Sequence, residues 1–220
     1  MTKDSPEQEL HPFFRAQFVH GNVRFNFLSP AINQLWAFAA GYHDAGKALA
    51  AKMEASVGYR DYDGYPILFL YRHALELYLK AIVYRGAQLV KLRTNEVLDS
   101  AHLLTKHRLS LFLPAVRAIL GSMDWRWDFE VSGLRSLDDF EALVRGIEAV
   151  DSDSYCFRYP VTKTGDAAHP RHLVINVIAF AKRMDPVLDL FAGAVTGLQE
   201  QWELSAEVVY FLQELFRGQD

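Results

Sequence analysis

Four side chains able to bind or move charge stand close together in FLYRHALELYLKAIV, residues 69–83: Arg72, His73, Glu76 and Lys80. On a helix each residue advances about 100°, so the four share an arc of about 100° while the rest of the circumference is apolar. Such a helix belongs at the centre of a core, with its polar residues on one narrow stripe. Arg72–Glu76 and Glu76–Lys80 are i,i+4 neighbours, worth only about 0.2–0.5 kcal/mol each on an exposed face. Two readings of the stripe stand side by side. In one it is a structural ion network bracing another segment, because buried charges must find partners. In the other it lies at the bottom of a cleft, where clustered charges mark a site.

The segment expected to face the stripe is DSDSYCFRYP, residues 151–160, dense in polar groups yet flanked by aromatics. Asp151 or Asp153 would pair with Arg72 or Lys80, and Arg158 would answer Glu76. Ser154 and Tyr159 complete a binding set of Glu76, Lys80, Asp151, Ser154, Arg158 and Tyr159. His107, in TKHRLSLFL, would join from the start of a helix. If the site is catalytic, the chemistry expected is acid–base cleavage of a phosphodiester. His73 or His107 would move the proton, and Arg72, Lys80 or Arg158 would stabilise the developing phosphate charge.

The runs PILFLYRHALELYLKAIV (66–83), HRLSLFLPAVRAIL (107–120) and DSDSYCFRYPVTKTG (151–165) are together similar to bacterial helical proteins that resemble the HEPN superfamily. The resemblance spans most of residues 30–200 and is carried mainly by RHALELYLK and SYCFRYP. It implies a helical bundle, often dimeric, and in many members a metal-independent endoribonuclease of a toxin–antitoxin or phage-defence system. It also implies that members without the nuclease motif act as binding or scaffold modules. The motif is an Arg followed by four to six residues and a His. Here its only close match is Arg15 to His20, in the irregular N-terminal segment, and the nuclease site is not carried over onto it. The expected ligand is therefore a phosphate-bearing group or RNA at the stripe. The competing expectation is a non-catalytic interaction module, with a second copy or another protein as partner.

Other chemistries find little footing. His73 and Glu76 are in the wrong order for a di-iron bundle motif, which also needs a repeat and further glutamates. His169 and His172 have no cysteine or acid to complete a metal site, so no metal or cofactor is expected. Cys156 as a nucleophile would need a nearby base, and a small packed position is the simpler reading. Neither a P-loop, nor GxGxxG, nor GxSxG is present. Trp36, Trp125, Trp127 and Trp202 read as core and interface, though WRW could also stack on bases.

The elements that must position these residues are helical. Residues 1–29 read as irregular, with RFNF (24–27) as a short strand, followed by one helical-bundle domain over 30–220. Ser29 and Pro30 offer a helix start, and apolar spacing carries helix one to about Met53. Pro66 opens a second helix expected to end near Gly86. Residues 89–107 read as short turns and loop. Arg108–Leu120 is helical, with Pro114 marking a kink or late start. Ser136 and Asp139 have capping-box spacing ahead of the next helix. Phe157, Tyr159 and Val161 alternate, KTG turns, and HLVI (172–175) could pair back as a small hairpin. Asn176 caps a long helix to about Leu198, with Asp185-Pro186 as a kink, and Leu204–Phe216 forms a last segment. The class is all-α, a bundle of about five to six helices with one hairpin near 157–175.

At 220 residues with a net charge of −4, the chain is long enough for one sizeable core and is not a strong non-specific nucleic-acid binder. The charge is uneven. Residues 72–117 hold eight Lys/Arg against three acids, and 124–153 hold nine acids against three arginines. The two regions either attract each other, or the first offers a local basic surface. One cysteine and no apolar leader after Lys3 fit a reducing setting, expected to be the cytoplasm. The most apolar run is too short and too charged to cross a membrane.

Overall fold

The computed structural model describes Arg15 and residues 20–25, 27–98, 103–162, 164–169 and 173–217, apart from the side chains of Leu212, Leu215 and Phe216. The chain divides into two units, Met1–Gln34 and Leu35–Asp220, so the boundary falls a little after Pro30. In the first unit a cis Ser29–Pro30 peptide precedes a 3-10 turn, Ala31–Gln34. The Asn33 side chain donates to the Ser29 carbonyl at 3.3 Å. Arg24, Phe25 and Phe27 form no strand, and Asn26 lies outside the described residues.

The second unit is all-α, built from α1 (Leu35–Glu54), α2 (Gly64–Thr94), α3 (Leu113–Ser122), α4 (Leu137–Val150) and α5 (Val177–Arg217). The central element is α2, which packs against α1, α3 and α5. Its apolar arc explains why: Leu75, Leu79, Ile82 and Leu89 are fully buried. A 3-10 turn, Leu109–Phe112, leads into α3, and Pro114 sits in that helix's first turn, so the late start is the outcome there. Against this turn packs α4, with Ser136 Oγ accepting from the Asp139 amide at 3.1 Å. Asp139 reaches back to the Arg135 amide at 2.9 Å rather than to the cap residue itself. The acidic and basic regions do attract locally: Arg117 of α3 bonds Glu141 and Asp138 of α4.

Three expectations need correction. The second helix does not stop at Gly86. Leu89 and Val90 continue its buried face, and the helix ends at Asn95, whose left-handed backbone (φ 60°) lets its amide reach the Lys91 carbonyl. The last two segments are one 41-residue helix with Pro186 inside it. Asn176 does cap it, accepting from the Ala179 amide at 2.9 Å. The hairpin reduces to a single antiparallel bridge between Val161 and Ala167, closed by Gly165 at φ 89°. Residues 173–175 pair with nothing there, and there is no strand among the described residues. A tight turn satisfies its own ends and leaves no partner for HLVI; His172 of that run lies outside the described residues. No described helix is long and apolar enough to cross a membrane.

Candidate functional site

Placing Arg72, Glu76 and Lys80 on one face of the central helix carries all three into the interior: none is more than 5% exposed. The Arg72 guanidinium is fully enclosed. Its Nη1 donates to Glu76 Oε2 at 3.0 Å. Nη2 donates to the carbonyls of His107 (2.9 Å) and Ser152 (3.3 Å). Nε donates to the Asp151 carbonyl at 3.1 Å, and Asp151 Oδ2 rests 3.3 Å from the same nitrogen without taking its hydrogen. Glu76 Oε1 accepts from Lys80 Nζ at 2.8 Å and contacts His107 Nδ1 at 2.9 Å. Lys80 also lies over the Phe112 ring. Two cations and two carboxylates thus balance inside the core. Burial alone would raise the Glu76 carboxyl, but the bonds from Lys80 and His107 and the Arg72 charge hold it below the usual range.

Asp151 is the other anchor. Its Oδ1 caps the following turn, accepting from the amides of Tyr155 (2.8 Å) and Cys156 (3.0 Å). Burial and the Asp151 charge push the Cys156 thiol up, the reverse of what a nucleophile needs. Ser154 is buried with φ 59°, and its carbonyl takes Arg158 Nε at 2.6 Å.

Of the expected contacts, Asp151 with Arg72 and His107 with Glu76 form. Asp153 does not take part: it is exposed and accepts from Ser152 Oγ. Arg158 does not answer Glu76, whose oxygens are already occupied. It projects onto a surface of rings instead, over Phe69, Tyr155 and Tyr159 at 5.6–6.0 Å. The Tyr155 and Tyr159 rings stack at 4.6 Å, and Tyr159 is 47% exposed. His107 is 53% exposed. Its Nδ1 faces Glu76, and in the neutral tautomer that donates there Nε2 is the acceptor, the orientation a carboxylate gives a general base.

His73 leaves the stripe. It stacks on Phe69 at 5.4 Å and meets Tyr42 edge-on at 4.6 Å, with Nδ1 buried and unpartnered. Burial pushes its imidazole below the ordinary value of 6.5; Glu76 opposes this, while Lys80, Arg72 and His107 add to it. Below pH 6.5 the unfolded chain therefore takes up a proton that the folded one resists, so stability present above that pH is lost as pH falls. Glu76 contributes a second loss, beginning near its unperturbed 4.5. We expect thermal melts to show both phases. His73→Phe keeps the stack and should flatten the melting temperature between pH 7 and pH 5.5, leaving the lower phase intact.

A second polar cluster escaped sequence reasoning. Tyr71 Oη donates to Asp185 Oδ1 at 2.6 Å, His43 Nε2 meets the same oxygen at 3.0 Å, and Lys47 reaches Asp189 at 3.2 Å. Burial, then the bond to Asp185, raises the Tyr71 phenol well above its usual range. The matched i,i+4 pairs His43/Lys47 and Asp185/Asp189 were its signal. No group of three His, Cys, Asp or Glu placed to hold a metal occurs among the described residues.

Comparison with family models, with curated proteins and with solved structures finds no match to this chain.

Proposed function

We propose that the protein is a helical binding module for a phosphate-bearing ligand, single-stranded RNA being the class that fits, and that it works without cleaving it. One observation carries this. Arg72 ties together, through three backbone carbonyls, the two loops that expose Lys106, His107, Arg108, Arg158 and Tyr159. The buried charges are on this reading a brace, and recognition belongs to the loops they hold. Cations beside stacked rings are what a single strand needs: charge for the backbone and a flat face for a base. The HEPN-like resemblance of RHALELYLK and SYCFRYP, which falls on the brace and on one of the loops, is in keeping with a binding member of that superfamily. The overall negative charge makes the interaction local and salt-sensitive.

A second reading, cleavage, is favoured by the Glu76–His107 pair, which orients a half-exposed imidazole. The two separate in one experiment. A labelled single-stranded RNA is titrated in EDTA, followed by anisotropy and by gel. The proposal expects binding without fragments. Arg158→Ala and Tyr159→Ala should each weaken it about tenfold, the scale of one lost stacking or charge contact, while the protein still melts cooperatively. Fragments that vanish in His107→Ala would replace it with the cleavage reading. Absence of binding would reject both.

A further inference from the structure

Away from the brace, the turn 131–134, α4 and the first turns of α5 border a cavity of about 380 Å³, within the size range of small-molecule pockets. Its walls are apolar: Leu134, Leu143, Phe180, Met184 and Val187. They are held in place. Met184 and Val187 are buried, and the Phe180 ring meets Tyr71 edge-on at 5.9 Å. Val131 and Leu134 exchange both backbone hydrogen bonds, at 2.9 and 3.0 Å. Ser132 and Gly133 close that two-residue turn with φ values of 53° and 84°.

The polar side chains of the lining are Ser132, Asn176 and Arg183, and each has a donor to spare. Asn176 Oδ1 is taken by the Ala179 amide at 2.9 Å, which leaves the hydrogens of its Nδ2 unused. Ser132 Oγ has no hydrogen-bond partner among the described residues. Arg183 has no ion pair, hydrogen bond or ring contact among them either. Its neighbours three and four positions away on α5, Ala179, Phe180, Pro186 and Val187, carry no charge. Among the described arginines of this unit, only Arg183 and Arg108, which belongs to the proposed RNA face, lack a side-chain partner. No acid lines the cavity, and the positive end of α5 begins beside Asn176. Spare donors, one of them a cation, beside apolar walls suit an anion that carries an apolar tail.

We infer that this cavity binds a free monocarboxylic acid with a straight alkyl tail. The carboxylate accepts from Arg183, with Asn176 Nδ2 and Ser132 Oγ as further donors, and the tail lies along the apolar walls. The site shares no residue with the loops of the proposed RNA face and stands or falls independently of them.

Decanoate, kept below its micellar concentration, is the probe. Decanol has the same tail without the charge, and butyrate has the charge on a short tail. Methyl resonances of the full chain, labelled at Leu and Met, are followed in each titration. Decanoate should shift Leu134, Leu143 and Met184 and leave the exposed Leu104 and Leu204 in place. It should bind about tenfold more tightly than decanol, the scale of one charge-assisted hydrogen bond. It should bind about a hundredfold more tightly than butyrate, because burial of methylene groups supplies most of the affinity. Arg183→Gln has no partner to lose, so the variant should melt as the parent does, and it should bring decanoate down to the affinity of decanol. Arg108→Gln removes an equally unpaired cation and should leave decanoate binding unchanged. Equal affinity for decanoate and decanol, no binding of decanoate, or decanoate binding that survives Arg183→Gln would overturn the inference. So would the same loss in Arg108→Gln, because net charge rather than this cavity would then attract the anion.

Discussion

Replacing Arg72 with methionine should cost about 3–5 kcal/mol, the range for removing one partner from a buried ion pair. For a chain of this length that lowers the melting temperature by roughly 6–20 °C. The loss arises on both sides of the substitution. Glu76 keeps Lys80 and His107 but loses its bond from Nη1, and the carbonyls of His107, Asp151 and Ser152 lose their common donor. Methionine restores volume but none of those bonds. Arg72→Lys should recover little, because an ammonium cannot present the planar fork that reaches three carbonyls and a carboxylate together. The two loops should also loosen selectively. Trypsin should then cut after Lys106, Arg108 or Arg158 at temperatures where the parent chain resists. A loss below about 1 kcal/mol with unchanged proteolysis would be the size of a surface pair and would refute the brace.

Gly86→Ala should destabilise by about 1–3 kcal/mol, the cost of overpacking a filled core, despite exchanging glycine for the best helix former. Helix propensity alone favours the change by about 1 kcal/mol. Packing outweighs it. An added Cβ would lie 2.5 Å from Ile119 Cγ2, 2.6 Å from Cδ1 and 2.9 Å from Cγ1. Ile119 is fully buried, and its branched Cβ leaves it little freedom to turn aside. The close approach of α2 and α3 therefore depends on the missing side chain. Ile119→Ala removes all three clashing carbons, so the double variant should be less damaged than the sum of the single ones. Gly146→Ala is the control: nothing lies within 4 Å of its Cβ, and the same exchange should stabilise α4 by about 0.5–1 kcal/mol. Equal effects at the two glycines, measured by denaturant titration, would show that packing does not decide the sign.

Gly86 also shows where the sequence misleads. Read locally, it ends a helix, because glycine costs helical stability and stops are often glycine. Its place against Ile119 depends on a residue 33 positions away, and no local pattern reports that. The joining of the two last segments into α5 is similar. Pro186 and the polar stretch after Leu198 read as punctuation, yet the helix runs through both, and buried Leu188, Phe191, Val195 and Leu198 carry its inner face past Pro186. The hairpin failed for the opposite reason. Alternation over 157–161 is a real local signal, but a strand needs a partner, and the turn at Gly165 closed on itself.

The candidate site divides along the same line. Periodicity alone settled that the protein is helical, that 66–83 is its central element and that Arg72, Glu76 and Lys80 point one way, because helical phase is a property of consecutive residues. The tendency of 151–159 to answer that stripe was legible in its composition, and Asp151 did so. Only the tertiary structure decided that the stripe is closed. Burial is set by what lies above a residue, and the carbonyls of His107, Asp151 and Ser152 come from segments 35–80 positions distant. It also separated residues that the sequence grouped. His73, adjacent to Arg72 and within about 20° of Lys80 on the helix, lies against the rings of Phe69 and Tyr42 instead. Arg158 came to lie over Phe69, Tyr155 and Tyr159 because Glu76 was already occupied by Arg72, Lys80 and His107. Phase is written in the chain; occupancy of a partner is a competition among all side chains that reach it, and only the folded arrangement resolves that competition.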